Sequence, residues 1–74
     1  HQDVSLYGSL LKPGEQVTFE VKPERKAWIQ VARGAVAVAC QPLQSGDGLG
    51  IETPGSINIT ATGAAEFLLF DLAA

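Results

Sequence analysis

Residues 18–34 read TFEVKPERKAWIQVARG, and the fold follows from how this stretch alternates. With Val17 in front, Val17, Phe19 and Val21 alternate with Thr18, Glu20 and Lys22, the period of a strand with one dry and one wet face. Pro23 and Glu24 interrupt the run with a short charged turn, after which Ala27, Ile29 and Val31 oppose Trp28, Gln30 and Ala32. Two such runs across a tight turn predict a first β-hairpin that ends at Arg33-Gly34. The apolar alternation places Phe19 deep in the interior and Trp28 nearer the rim, on the side that also carries Gln30. Trp28 is expected to pack there with its indole N–H satisfied by a neighbour.

The rest of the chain is punctuated in the same way. Pro13-Gly14, Gly34, Gly46-Asp47-Gly48, Pro54-Gly55 and Gly63 mark turns at short intervals, with β-branched and aromatic residues between them. Strands are predicted over 4–11, 16–22, 27–33, 35–39, 48–51, 56–60 and 65–71, and the fold class is all-β, a small, mostly antiparallel barrel or sandwich. The last run, AEFLLFDL, is the one segment with a helical look. It carries no cap signal and is too short to hold a helix unaided. No internal repeat or linker divides the chain, so residues 1–74 read as a single domain.

The chain has 74 residues, near the lower limit for a domain that folds alone, and such a chain buries only about 60% of its unfolded surface. Apolar residues make up 46% of it and charged residues 18%, which is enough for a core. A net charge of −3 with scattered Lys and Arg leaves no basic footprint for nucleic acid. No apolar run is long enough to span a bilayer as a helix and no signal peptide is visible, so the expectation is a soluble chain without a membrane partner. The single cysteine, Cys40, has no internal disulfide partner, which points to a reducing compartment, the cytoplasm. The first residue is His1 rather than Met, and HQDVSL runs into strand-like sequence within a few residues, as expected of a piece of a longer protein.

Candidate chemistry is sparse. His1 is the one imidazole, and it lacks the convergent partners a zinc or iron site needs. Cys40 ends the apolar run AVAVAC with no histidine near it, so it reads as a small hydrophobe at a strand edge. Asp3, Glu15, Glu20, Glu24, Asp47, Glu52, Glu66 and Asp71 show no spacing that sets two carboxylates face to face. GDGLG at 46–50 reads as a turn whose glycines supply positive φ. No helix follows it, as a phosphate loop would require.

Taken together, HQDV at 1–4, AWIQVARG at 27–34, GDG at 46–48 and EFLLFDL at 66–72 resemble the cupin barrel, in particular the C-terminal cupin domain of pirin-like proteins of the quercetinase type. The resemblance covers essentially the whole chain. It implies a jelly-roll-like cupin fold and the C-terminal half of a larger two-cupin protein, with the N-terminal cupin as packing partner. The parent protein would resemble a metal-dependent quercetin 2,3-dioxygenase, its iron or similar divalent metal held in that N-terminal cupin.

The cupin pattern sets two histidines one residue apart after a glycine, then a glutamate, then a further histidine in a second motif. Counted from Gly14, the histidine slots fall on Glu20 and Lys22, flanking Val21. Counted back from Gly34, the acidic slot is Ala27, and the later histidine slot lies near Ile57. The spacing would turn Glu20 and Lys22 inward, whereas the apolar alternation turns Phe19 and Val21 inward, and a one-residue slip reverses every side chain. Two ions in a small dry core would cost several kcal/mol each unless well paired, so the apolar register is the expected one. The domain is therefore expected to hold no catalytic, cofactor-binding or metal-binding residues of its own. Its expected role is non-catalytic packing; the alternative is a small-ligand-binding barrel or a divergent enzyme acting in the barrel mouth. Because AVAVAC and EFLLFDL are apolar on both alternating sides, the domain in isolation is expected to self-associate.

Overall fold

The computed structural model describes residues 4–73 and is built from strands alone. In chain order they are β1 (Val4–Leu11), β2 (Gln16–Val21), β3 (Arg25–Arg33), β4 (Ala35–Val38), β5 (Gln41–Gln44), β6 (Gly48–Ile51), β7 (Gly55–Ala61) and β8 (Ala65–Ala73). They form two four-stranded sheets, ordered β1-β8-β3-β6 and β2-β7-β4-β5, and every pairing within them is antiparallel. The sheets face each other as a jelly-roll-like sandwich and are not closed into one hydrogen-bonded barrel.

The stretch 18–34 forms strands as its alternation dictates, but it is not a hairpin. β2 pairs with β7, and β3 pairs with β8 and β6, so the two runs lie in opposite sheets. The chain makes an arch, which turns the apolar faces of β2 and β3 toward each other across the interior. A hairpin would have aligned those faces on one side of one sheet. The arch turns at Lys22–Arg25, where the Arg25 N–H donates to the Lys22 carbonyl at 3.1 Å and Glu24 takes a φ of 65°. Pro at the second position and positive φ at the third are the features of a type II turn.

Inward side chains form one continuous layer. Ile29 and Val31 of β3 and Phe67 and Leu69 of β8 meet Val36 and Val38 of β4 and Ile57 and Ile59 of β7. All eight come from the central strands of the two sheets. Val21, Ala27, Leu43, Ala61 and Ala65 complete the buried set, and no polar or charged residue is buried among the described residues. On one flank the edge strands β1 and β2 are bridged by Tyr7 and Phe19, with ring centroids 6.0 Å apart and planes tilted by 55°. On the other flank, β5 and β6 are joined by a turn in which Asp47 Oδ2 accepts from the Gln44 N–H at 2.8 Å.

Phe19 does face inward, but it is half-buried rather than deep. β2 is an edge strand, and the ring packs against the core on one side and against Tyr7 of the other sheet's edge; the deep aromatic is Phe67, 2% exposed on central β8. The strand over 41–44 is not among those predicted from the sequence. Pro42 sits in β5 at a sheet edge, where no further strand needs its missing N–H. Gly34 has a φ of 73°, and a Cβ there would overlap the carbonyl of Ala64. It follows a bulge at Ala32, where the β3–β8 register shifts between Val31 and Arg33.

Two stability predictions follow from these positions. Phe67→Ala should cost about 3–5 kcal/mol and prevent stable folding of so small a domain, whereas Phe19→Ala should cost about 1–2 kcal/mol, as read by urea denaturation. Equal losses would place Phe19 in the core after all. The β4–β5 loop has two residues, Ala39 and Cys40, with φ of 49° and 68°, the left-handed geometry that favours Asn-Gly. Ala39→Asn with Cys40→Gly should therefore raise stability by about 1 kcal/mol in the same assay.

Candidate functional site

The positions where a cupin would carry metal ligands are occupied as follows. Glu20 and Lys22 point outward and are exposed, while Val21, Ala27 and Ile57 point inward and are buried at 2%, 2% and 9% exposure. Neither register supplies donors that converge on an interior point. Among the described residues no group of three or more His, Cys, Asp or Glu could hold a metal ion. The interior does not fit the divalent metal associated with this fold, because its side chains there are hydrocarbon. His1 and Asp3 lie outside the described residues.

The other candidate residues hold the scaffold. Cys40 is exposed in the β4–β5 turn. Asp71 Oδ1 accepts from Arg25 Nε at 3.0 Å, and the Asp71 carbonyl accepts from Arg25 Nη2 at 3.2 Å, a partly buried link between β8 and β3. Glu66 faces Arg33 at 3.5 Å, an exposed pair on the same two strands. Glu15 Oε1 accepts from the Lys12 N–H at 2.7 Å and closes the loop after β1. Glu20, Glu24 and Glu52 are exposed. The clefts are open and lie at the surface. One of about 370 Å³ is lined by residues including Leu11, Lys12, Arg33 and Glu66, and another of about 310 Å³ by Lys26, Trp28, Ile51 and Leu72 among others.

The most distinctive surface is the outer face of the sheet β1-β8-β3-β6. Its register places Leu6, Phe70, Trp28 and Gly50 in one row across all four strands, and Gly8, Leu68, Gln30 and Gly48 in the next. Trp28 lies over β6, and the glycines of that strand make room for it. A Cβ at Gly48 would overlap the indole at Cζ2, and one at Gly50 would press on Cε3 at 3.3 Å. Trp28 Nε1 donates to Gln30 Oε1 at 3.2 Å, while Gln30 Nε2 donates to the carbonyls of Gly46 and Asp47 at 3.1 and 3.2 Å. The indole is thus seated on one side and 40% exposed overall.

Trp28 is at the surface with its N–H satisfied, as the sequence predicts. Of the glycines in GDGLG, only Gly46 has positive φ (90°), and Gly48 and Gly50 are strand residues that serve as the indole's seat. Glycines two apart inside a strand signal a close approach on one face, which was the available clue. On the opposite outer face β2 and β7 are polar, Gln16 pairing with Thr60, Thr18 with Asn58 and Glu20 with Ser56, while β4 and β5 add the small residues Ala35 and Ala37 with Pro42 and Gln44. Thr18 Oγ1 donates to Asn58 Oδ1 there at 2.7 Å.

Comparison with known proteins agrees with this fold. Residues 1–72 match the family model of the quercetinase C-terminal cupin domain. The chain is 40% identical over 72 residues to quercetin 2,3-dioxygenase of Escherichia coli and 37% identical over 71 residues to a pirin-like protein of Caulobacter vibrioides, covering 97% and 96% of this chain. It spans only 31% of each of those relatives. The crystal structure of the bacterial pirin YhhW from Escherichia coli, in complex with nickel(II), superposes with a TM-score of 0.94 at 40% identity, over 99% of this chain and 32% of that one. The chain belongs to the quercetinase C-terminal cupin domain family of pirin-like proteins.

Proposed function

We propose that this domain is a non-catalytic packing module of a two-cupin, pirin-like protein, and that the chemistry of the parent is carried by an N-terminal cupin. The observation that carries this reading is the interior: Val21, Ala27 and Ile57 face inward where ligands would be needed, in a core without a buried polar residue among those described. Such a layer offers no Lewis acid site, no acid or base and no oxyanion donor. The chain spans about a third of the length of its relatives, which leaves room for a second domain of cupin size. The Escherichia coli relative is named for quercetin and its crystal structure for nickel(II), and we assign the corresponding activity and a divalent metal to the N-terminal cupin. The location proposed for the parent is the cytoplasm, in keeping with the exposed free thiol of Cys40.

A ligand-binding barrel would instead need an enclosed, partly polar cavity. Both clefts described above lie at the surface, and the central strands fill the space between the sheets with Ile29, Val36 and Ile59 at 0% exposure.

Two measurements test the proposal. After incubation with nickel or iron and gel filtration, elemental analysis of the 74-residue chain should give far less than one metal ion per chain. About one tightly held ion would contradict it. Oxygen uptake with quercetin should not exceed a blank for metal-supplemented chain. Turnover above the blank would show that the domain has catalytic groups of its own.

A further inference from the structure

Within that reading, on which this inference rests, we propose that the outer face of the sheet β1-β8-β3-β6 is the surface that docks the remainder of the parent polypeptide, folded as its other cupin domain, with Trp28 as the anchor. The two outer faces of the sandwich differ in kind. One presents Gln, Thr, Asn, Ser and Glu in register on β2 and β7, with side-chain hydrogen bonds among them, and only small or compact residues, Ala35, Ala37 and Pro42, beside Gln44 on β4 and β5. The other presents the row Leu6, Phe70, Trp28 and Gly50 beside Leu68. Leu6 is 57% exposed, Leu10 78% and Trp28 40%, so the apolar side chains of this face reach solvent when the domain stands alone.

The face also has the organisation of an interface. Its apolar centre is bordered by charge: Lys26 pairs in register with Leu72 at one end, and the Arg33–Glu66 pair lies beside Leu10 at the other. Trp28 is held before any partner arrives, by Gln30 on its nitrogen and by the bare backbone at Gly48 and Gly50 beneath its ring. A side chain already fixed in its bound rotamer loses little entropy on association, and a seated tryptophan is a frequent hot spot. The occupant follows from chain length. The curated relatives are about three times as long as this chain, so a covalently linked partner is at hand at high effective concentration and weak contacts suffice to seat it.

The test compares thiol labelling in the full-length protein and in the 74-residue chain at concentrations where sedimentation shows the latter to be monomeric. Cys40→Ser removes the native exposed thiol, and a new one is placed either on the apolar face with Leu6→Cys or on the polar face with Asn58→Cys; both sites are exposed, so the substitutions spare the fold. Modification by a maleimide is read peptide by peptide in a mass spectrometer. The thiol of Leu6→Cys should react at least about tenfold more slowly in the full-length protein, with that of Asn58→Cys unchanged within about twofold. Protection of the Asn58→Cys thiol alone would overturn the choice of surface and leave the packing role standing. Full reactivity at both positions in the full-length protein would overturn the proposal together with the packing role.

Discussion

The central inward positions of this domain hold its two sheets together. A chain of 74 residues supplies one interior layer, and that layer is the contact of Ile29, Val31, Phe67 and Leu69 with Val36, Val38, Ile57 and Ile59. Domains of this size are stable by only about 5–15 kcal/mol at best, and burying an uncompensated ion costs several of those. A cluster of inward ligands would therefore compete directly with folding unless a bound metal repaid it. In this chain hydrocarbon takes the central inward positions; Asp71, on the inward register near the end of β8, is paired with Arg25, and Asp47 lies in a turn on the Gln44 N–H.

The same economy explains the outside of the molecule. A strand that lies in the middle of a sheet and is apolar on both faces, as β8 is, normally has cover on both. Its inner face, Phe67 and Leu69, is covered by the other sheet, while its outer face, Leu68, Phe70 and Leu72, is only partly covered by its neighbours. Trp28 lies next to Phe70 in the same row and extends that apolar surface toward β6. The polar outer side of β2 and β7 across the sandwich, with no large apolar residue on that face at β4 or β5, shows that the sequence does specify a solvated exterior where one is wanted. The contrast between the two faces, rather than apolar exposure alone, marks one of them for contact.

Much of this was legible from residue order. Period-two alternation located β2, β3 and β7 and set the inward register of Val17, Phe19 and Val21, because one face of each strand is dry. The cupin resemblance rests on segments spread over the whole chain, and the family match over residues 1–72 agrees with it. Partner choice between strands was not legible. The turn at Lys22–Arg25 looks the same whether it closes a hairpin or turns a corner between sheets, so β2 and β3 were expected side by side and lie in opposite sheets. Depth was misjudged for Phe19 for the same reason, since depth depends on whether a strand is central or at an edge. The seat under Trp28 was hidden as well, because it joins residues 28, 30, 48 and 50 through a pairing of β3 with β6 that no local pattern specifies.

If packing is what this domain contributes, its stability must be coupled to the rest of the parent protein. Thermal unfolding followed by hydrogen exchange at Phe67 and Leu69, in the full-length protein and in the 74-residue chain, measures that coupling directly. The account predicts that the rest of the protein raises the melting temperature of these strands by at least about 5 °C, the shift expected from roughly 1 kcal/mol in a domain of this size. Identical melting in the two settings would mean that the sandwich stands alone, and would contradict it.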